Sequence, residues 1–420
     1  MLCAGAENGI FKDRYMNLLH IDEPLSRPAP GTFWQHPLWR LGFRPFYLAS
    51  ALFAALAIPL WLASLYGWTA TALPALRVGV LWHMHEMVFG MASAVIVGFL
   101  YTAGRNWTGL PTPVRGRLAA LVALWVAGRV AMLCAPAGPA AIGAALLDWL
   151  FLPLAAWPLA NVLRKSGNRR NYFLVGLLAL MALANGAFHA GAAGWLPLEP
   201  VHAIESAILV VAVMEAAIGT RVIPMFTRNG VPGSQPAVSA PLDRASLALL
   251  AVTAVAWAAR APGWLQAPLA LMAGLLVLVR VARWQPHRTL RHALVWILHL
   301  SYAWIGVGML LLAGASAGWV GASAAFHALA VGAMAGLVVG MMTRTTLGHT
   351  GRMLRAGRAE TAMFVLIQLG ALARVAAALG MGPATVLLVA STVCWSVAFA
   401  LYVMVYLPYL ASARIDGKEG

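Results

Sequence analysis

Six histidines lie inside stretches apolar enough to cross a bilayer, which is a costly place for an ionisable ring. His83 and His85 open one stretch within the run Trp82-His83-Met84-His85-Glu86-Met87. His189 comes near the end of another, and His202, with Glu205 three residues on, opens the next. His327 lies in the outer half of a later stretch, while His299 sits deeper and apart. Imidazole binds copper, iron and zinc well. His83, His85, His189, His202 and His327, drawn from four stretches at one depth, therefore point to a metal or haem site. His83, His85 and His202 are the foremost metal candidates, and a proton or substrate path is the competing reading.

Spacing refines the chemistry. Two residues apart on a regular helix, His83 and His85 point about 200° apart. Either they serve two centres or the helix is distorted where it begins. His83 and Glu86, and His202 and Glu205, are three apart and share a face, so each carboxylate can orient its histidine as metal-bound histidines usually require. A local His–Glu hydrogen bond without metal is the plainer alternative. Arg129 and Arg374 fall inside spans in the same outer half. A guanidinium fork matches a haem propionate, or it neutralises Asp148 or Glu86. Cys3, Cys134 and Cys394 are widely separated and no Cys-x-x-Cys-His motif occurs, so any haem is non-covalent, of b type. Met84, Met87 and Met91 offer thioethers suited to Cu(I), though in an apolar core methionine is commonly filler.

These side chains need a scaffold that lipid accepts. Of 420 residues 61% are hydrophobic and 10% charged, far from the globular norm. The expected fold is all-α, with about twelve transmembrane helices near 46–66, 82–103, 117–135, 141–163, 172–193, 200–225, 243–260, 264–283, 292–314, 320–343, 361–380 and 385–410. Tight connections at 136–140 and 261–263 carry Pro and Gly. Residues 1–45 read as a cytoplasmic and interfacial lead-in, not a signal peptide, and 411–420 as a cytoplasmic tail.

Charge sets the orientation. Alternate loops hold Arg105, Arg115 and Arg117; Arg164, Lys165, Arg169 and Arg170; Arg221, Arg228 and Arg244; Arg280, Arg283, Arg288 and Arg291; and Arg344, Arg352, Arg355 and Arg358. Loops of the other parity hold only Arg77 and Arg260. Both termini are then cytoplasmic. His20, His36, His287, His292 and His349 fall on or near that side, where solvent or headgroup contact is the plain expectation. The net charge of +16 follows this loop pattern and forms no basic stripe interleaved with aromatics, which excludes nucleic acid as a partner. No six-plus-six repeat is visible, which disfavours a transporter built from inverted repeats.

Four segments carry a resemblance: Trp82 to Met87 (WHMHEM), Asn106 to Gly109 (NWTG), Arg221 to Asn229 (RVIPMFTRN) and Met341 to Arg352 (MMTRTTLGHTGR). In this order and frame the chain resembles the NnrS family from His36 to about Arg355. The resemblance implies a bacterial inner-membrane protein containing haem and copper, associated with nitric oxide, denitrification and protection from nitrosative stress. It implies no particular catalytic turnover or electron-transfer partner. The matched residues are His83, His85, Glu86, Arg221, Arg344 and His349, and the motif alone does not say which bind metal. A subunit of an oxygen or nitric oxide reductase related to the haem-copper oxidases is an alternative, weakened by the lack of an adjacent His-His pair. A proton-coupled transporter of metal or small solute, relaying through Glu86, Asp148, Glu205 and Glu215, is another. Arg344, His349 and Arg352, with Gly348 and Gly351, form a cytoplasmic-loop candidate for an anion or partner, against the alternative of a tight turn bearing positive-inside charge.

Overall fold

The computed structural model describes residues 33–69, 76, 78–134 and 139–418; Cys3, His20, Arg77 and most of the turn expected at 136–140 lie outside them. Lipid offers backbone groups no hydrogen-bond partner, so a spanning chain must satisfy them internally as helices or closed barrels. This chain does so with helices, and no strand occurs among the described residues. Twelve of them are long and apolar enough to cross a membrane. They are α1 (Phe43–Leu65), α2 (Val80–Thr108), α3 (Arg115–Cys134), α4 (Ala141–Lys165), α5 (Tyr172–Ala192) and α6 (Pro200–Gly230). Then come α7 (Ala240–Ala258), α8 (Gly263–Arg283), α9 (Ala293–Ser316), α10 (Ala322–His349), α11 (Arg358–Ala378) and α12 (Ala384–Ala411). The protein is an all-α, multi-pass membrane protein.

Three helices run past the ends that hydropathy assigns them. α2 reaches Thr108, α6 reaches Gly230 and α10 reaches His349. Arg228, Arg344 and His349, expected in loops, therefore stand on helices. The apolar window ends where charge begins, but helical backbone bonding does not depend on apolar side chains, so the ladder continues, exposed at the ends of α2 and α6 and buried at Thr345, Thr346 and Leu347 of α10. Gly109 closes α2 in the left-handed conformation, φ 67°, which a residue without Cβ adopts freely. At the same end Arg44 donates to the carbonyls of Leu410 and Ser412 at 2.8 and 2.7 Å, closing α12 with a cation where helix carbonyls are otherwise unpaired.

Enclosure separates scaffold from centre. In α2, α9 and α10 the apolar windows are 83%, 67% and 78% buried, against 28% in α3 and 22% in α7. The inner helices therefore carry polar residues out of lipid, while the outer ones present Leu and Val to it. Exposed Trp195, Trp264 and Trp319 stand at turns of the end that carries the histidines, as an interfacial belt requires. Two of the inner helices are irregular. α2 is π-helical over Glu86–Ala92 and α10 over Ala328–Ala335, each directly after a histidine. An inserted π turn re-aims the side chains around it and is common at functional sites.

Close backbone approach sets α8 against α9. A Cβ on Gly274 would stand 2.8 Å from the Gly306 carbonyl oxygen, and one on Gly306 would stand 3.1 Å from that of Gly274. Small residues at such crossings let helices pack in lipid. Gly306→Val is expected to cost about 1–3 kcal/mol by forcing this contact apart. Gly116→Ala, which meets nothing within 4 Å, should leave stability unchanged or slightly higher. Unfolding midpoints of the detergent-solubilised variants check the pair; equal midpoints would refute the close-packing argument.

Candidate metal centres

The best-connected polar group of the bundle is assembled from four helices. His85 and Glu86 come from α2, Arg129 from α3, Asp148 from α4, and Asn185 and His189 from α5. His85 Nδ1 lies 2.9 Å from Glu86 Oε1, and Arg129 Nη1 donates to that oxygen at 2.8 Å. Arg129 Nη2 donates to Asp148 Oδ1. Asp148 Oδ2 faces His85 Nε2 at 3.1 Å and His189 Nε2 at 2.8 Å. Asn185 Nδ2 donates to the same oxygen at 2.8 Å, and its Oδ1 lies 3.0 Å from His85 Nε2. All except His189 are buried. Glycine makes the room: a Cβ on Gly90 would meet Arg129 Nη1 at 2.7 Å, and one on Gly128 the Asp148 Cα at 3.2 Å.

Hydrogen-bond chemistry constrains this network. A carboxylate only accepts, so Asn185 must turn its amide nitrogen to Asp148 and its oxygen to His85. His85 Nε2 therefore needs a proton for Asn185, and Nδ1 needs one for Glu86. A neutral imidazole carries only one. Charge gives the same answer: Arg129 supplies one positive charge against the two carboxylates of Glu86 and Asp148. With both carboxylates ionised and His85 neutral, the centre carries one uncompensated negative charge, which a proton or a bound cation can balance. One ligand atom each from His85, Asp148 and His189 lies within 4.8 Å of the others, and Glu86 Oε2 is buried without a partner.

On the other side of α2 a second centre forms. His83 of α2, His327 of α10 and Arg374 of α11 line a cavity of about 80 Å³ with Met84, Met87 and Met334. His83 stacks on Trp61 of α1, ring centroids 4.1 Å apart, and its Nδ1 is buried without a partner. His327 Nδ1 donates to the Ser323 carbonyl at 2.7 Å, which leaves Nε2 with its lone pair free. Arg374 has no carboxylate within 4 Å among the described residues, whereas Arg129 has two.

The structure thus divides the five outer histidines. His85 pairs with His189 and His83 with His327. His202 joins neither: it stacks toward Trp257 of α7 at 5.9 Å, with Glu205 3.9 Å away. His83, His85 and His202 stand apart, as the spacing of the first two requires: His83 and His85 leave α2 on different faces, and His202 turns toward α7. Nor does Glu86 orient His83; attraction to Arg129 draws it to His85 instead. Arg129 is occupied by carboxylates, so of the two arginines only Arg374 is left for a propionate. His299 is satisfied where it stands, with Nδ1 3.1 Å from the Val295 carbonyl and Nε2 3.3 Å from Thr227 Oγ1. Arg344 and His349 line a separate cavity at the opposite end, while Arg352 leaves them to stack over Tyr409 at 3.7 Å. Asn185 had a signal that sequence reasoning passed over: an amide inside a span, four residues before His189 and on its face.

Residues 37–414 match the family described as NnrS protein, a stretch that contains both histidine centres and all four sequence motifs. No curated protein matches the chain. With twelve spanning helices and a family match over nearly its whole length, this chain belongs to the NnrS family.

Proposed function

We propose that the chain is a haem- and copper-binding protein of the bacterial inner membrane, with both termini cytoplasmic, that acts in the response to nitric oxide and lessens nitrosative damage. The observation that carries the reading is the pair of histidine centres on opposite sides of α2, one with Glu86 Oε2 and the other with His83 Nδ1 buried without a partner. The donor sets suit the two cofactors differently. Two imidazoles and a carboxylate at His85, His189 and Asp148 suit copper, and a cation there supplies the missing positive charge. His83 and His327 offer nitrogen ligands in an apolar pocket, and the unpaired Arg374 suits a propionate, which together fit a b-type haem.

The bare cavity beside His83 is small next to the roughly 300–1,000 Å³ of a cofactor-sized pocket. Its three lining methionines are unbranched and adaptable, so they are the groups that would have to shift to admit a macrocycle. Haem iron would contribute ligation of nitric oxide and electron exchange. The chain's own part is to exclude water with Trp61 and the methionines, to fix the His327 ring through Ser323, and to hold charge balance through Arg129, Glu86 and Asp148. The test is purification from cells supplied with iron and copper, followed by optical spectra and metal analysis. A Soret band with stoichiometric copper is expected. A colourless preparation without either metal would overturn the proposal.

A further inference from the structure

Far from the histidine centres, the ends of α2, α6 and α10 enclose a cavity of about 630 Å³. That volume lies within the range of small-molecule sites. Arg170, which precedes α5, lines it together with Arg221 of α6 and Arg344 of α10; no acidic side chain does. None of these three guanidinium groups has a carboxylate within 4 Å among the described residues, whereas the buried Arg280 has Asp243 at 2.9 Å and Arg129 has two partners. Arg170, Arg221 and Arg344 thus line one open cavity with no carboxylate among the described lining residues to balance them. Like charges so placed repel one another unless an anion joins them.

Two of the arginines are also held in position. Arg221 donates to Asn171 Oδ1 at 3.0 Å, and Asn171 donates to Asn168 Oδ1 at 3.0 Å. Arg344 lies over the Phe226 ring at 3.6 Å, which orients the guanidinium plane without neutralising it. Guanidinium forks take phosphate oxygens in pairs, and fixed forks give up less side-chain freedom on binding. Trp107 and Phe226 add aromatic faces to the same wall. We propose that this cavity is a binding site for a phosphate-bearing dianion, gripped by Arg170, Arg221 and Arg344. The phosphate belongs either to an acidic lipid headgroup or to a soluble phosphate compound. The proposal is independent of the metal centres, since neither its residues nor its readout involves them.

The experiment places the full chain in phosphatidylcholine nanodiscs and follows its unfolding midpoint. Inorganic pyrophosphate is titrated in one arm, and cardiolipin replaces part of the lipid in the other. Chloride at equal ionic strength is the control. A saturable rise in midpoint is expected in one arm: in pyrophosphate it identifies a soluble ligand, in cardiolipin a headgroup. Each lost charged contact should weaken the apparent affinity about tenfold, so R221Q/R344Q loses about 100-fold. The exposed Arg170→Gln, which has little to unfold, loses about tenfold, and Arg244→Gln on another helix changes nothing. The proposal falls if neither anion shifts the midpoint of the unsubstituted protein, or if Arg170→Gln responds to the active anion as that protein does.

Discussion

Arg129→Met is expected to destabilise the folded protein by about 3–5 kcal/mol, the cost of leaving buried charge without its partner. The guanidinium bonds both Glu86 Oε1 and Asp148 Oδ1, so its loss strands two carboxylates that water cannot reach. Methionine fills much the same volume, which keeps a cavity from contributing to the result. The cost therefore belongs to charge, and removing the stranded charge should recover it. Arg129→Met combined with Glu86→Gln and Asp148→Asn is expected to regain most of the lost stability, since neutral amides carry a far smaller burial penalty. Unfolding midpoints in detergent, measured on protein of equal metal content, decide the matter. If Arg129→Met matches the unsubstituted protein, or the triple variant is weaker than the single one, the network does not balance charge.

That network also marks how far the sequence could be read. Twelve spans were legible because lipid imposes a length and a polarity that no other environment does. Their ends were less so: α2, α6 and α10 continue as helices where hydropathy stops, since backbone hydrogen bonding does not end with the apolar run. His83 and His85 could be assigned to different faces from their spacing alone. What spacing could not give was the partner of each. The link of His85 to Asn185 spans a sequence separation of 100 residues, and nothing in either helix alone announces the other. Glu86 illustrates the same limit. By helical periodicity it belongs with His83, but a guanidinium from α3 and the π turn that starts at Glu86 settle it beside His85. Local geometry proposed the pair, and long-range charge decided it.

The division of the outer histidines has a direct consequence for cofactor content. His83→Ala and His327→Ala are expected to abolish the Soret absorbance and leave copper in place, while His189→Ala removes copper and leaves the Soret band. Even loss of a group that only supports a ligand commonly lowers metal affinity on the order of 10–100-fold, so loss of a ligand itself should exceed that. The choice of variants follows from the bonding. Among the described residues His83 Nδ1 has no partner to strand and His189 bonds only Asp148, so either can be removed with little damage to folding. His85 is a poorer probe, because its removal leaves Glu86, Asp148 and Asn185 each short of a contact and mixes unfolding with metal loss. Iron and copper analysis beside optical spectra, on variants that elute as the unsubstituted protein does, reads the partition. Loss of both metals from His83→Ala and from His189→Ala alike would mean one shared centre, contrary to the two faces of α2. Loss of one metal from each, in opposite senses, would show that α2 serves as the wall between two sites, with the two residues from His83 to His85 carrying the chain from one to the other.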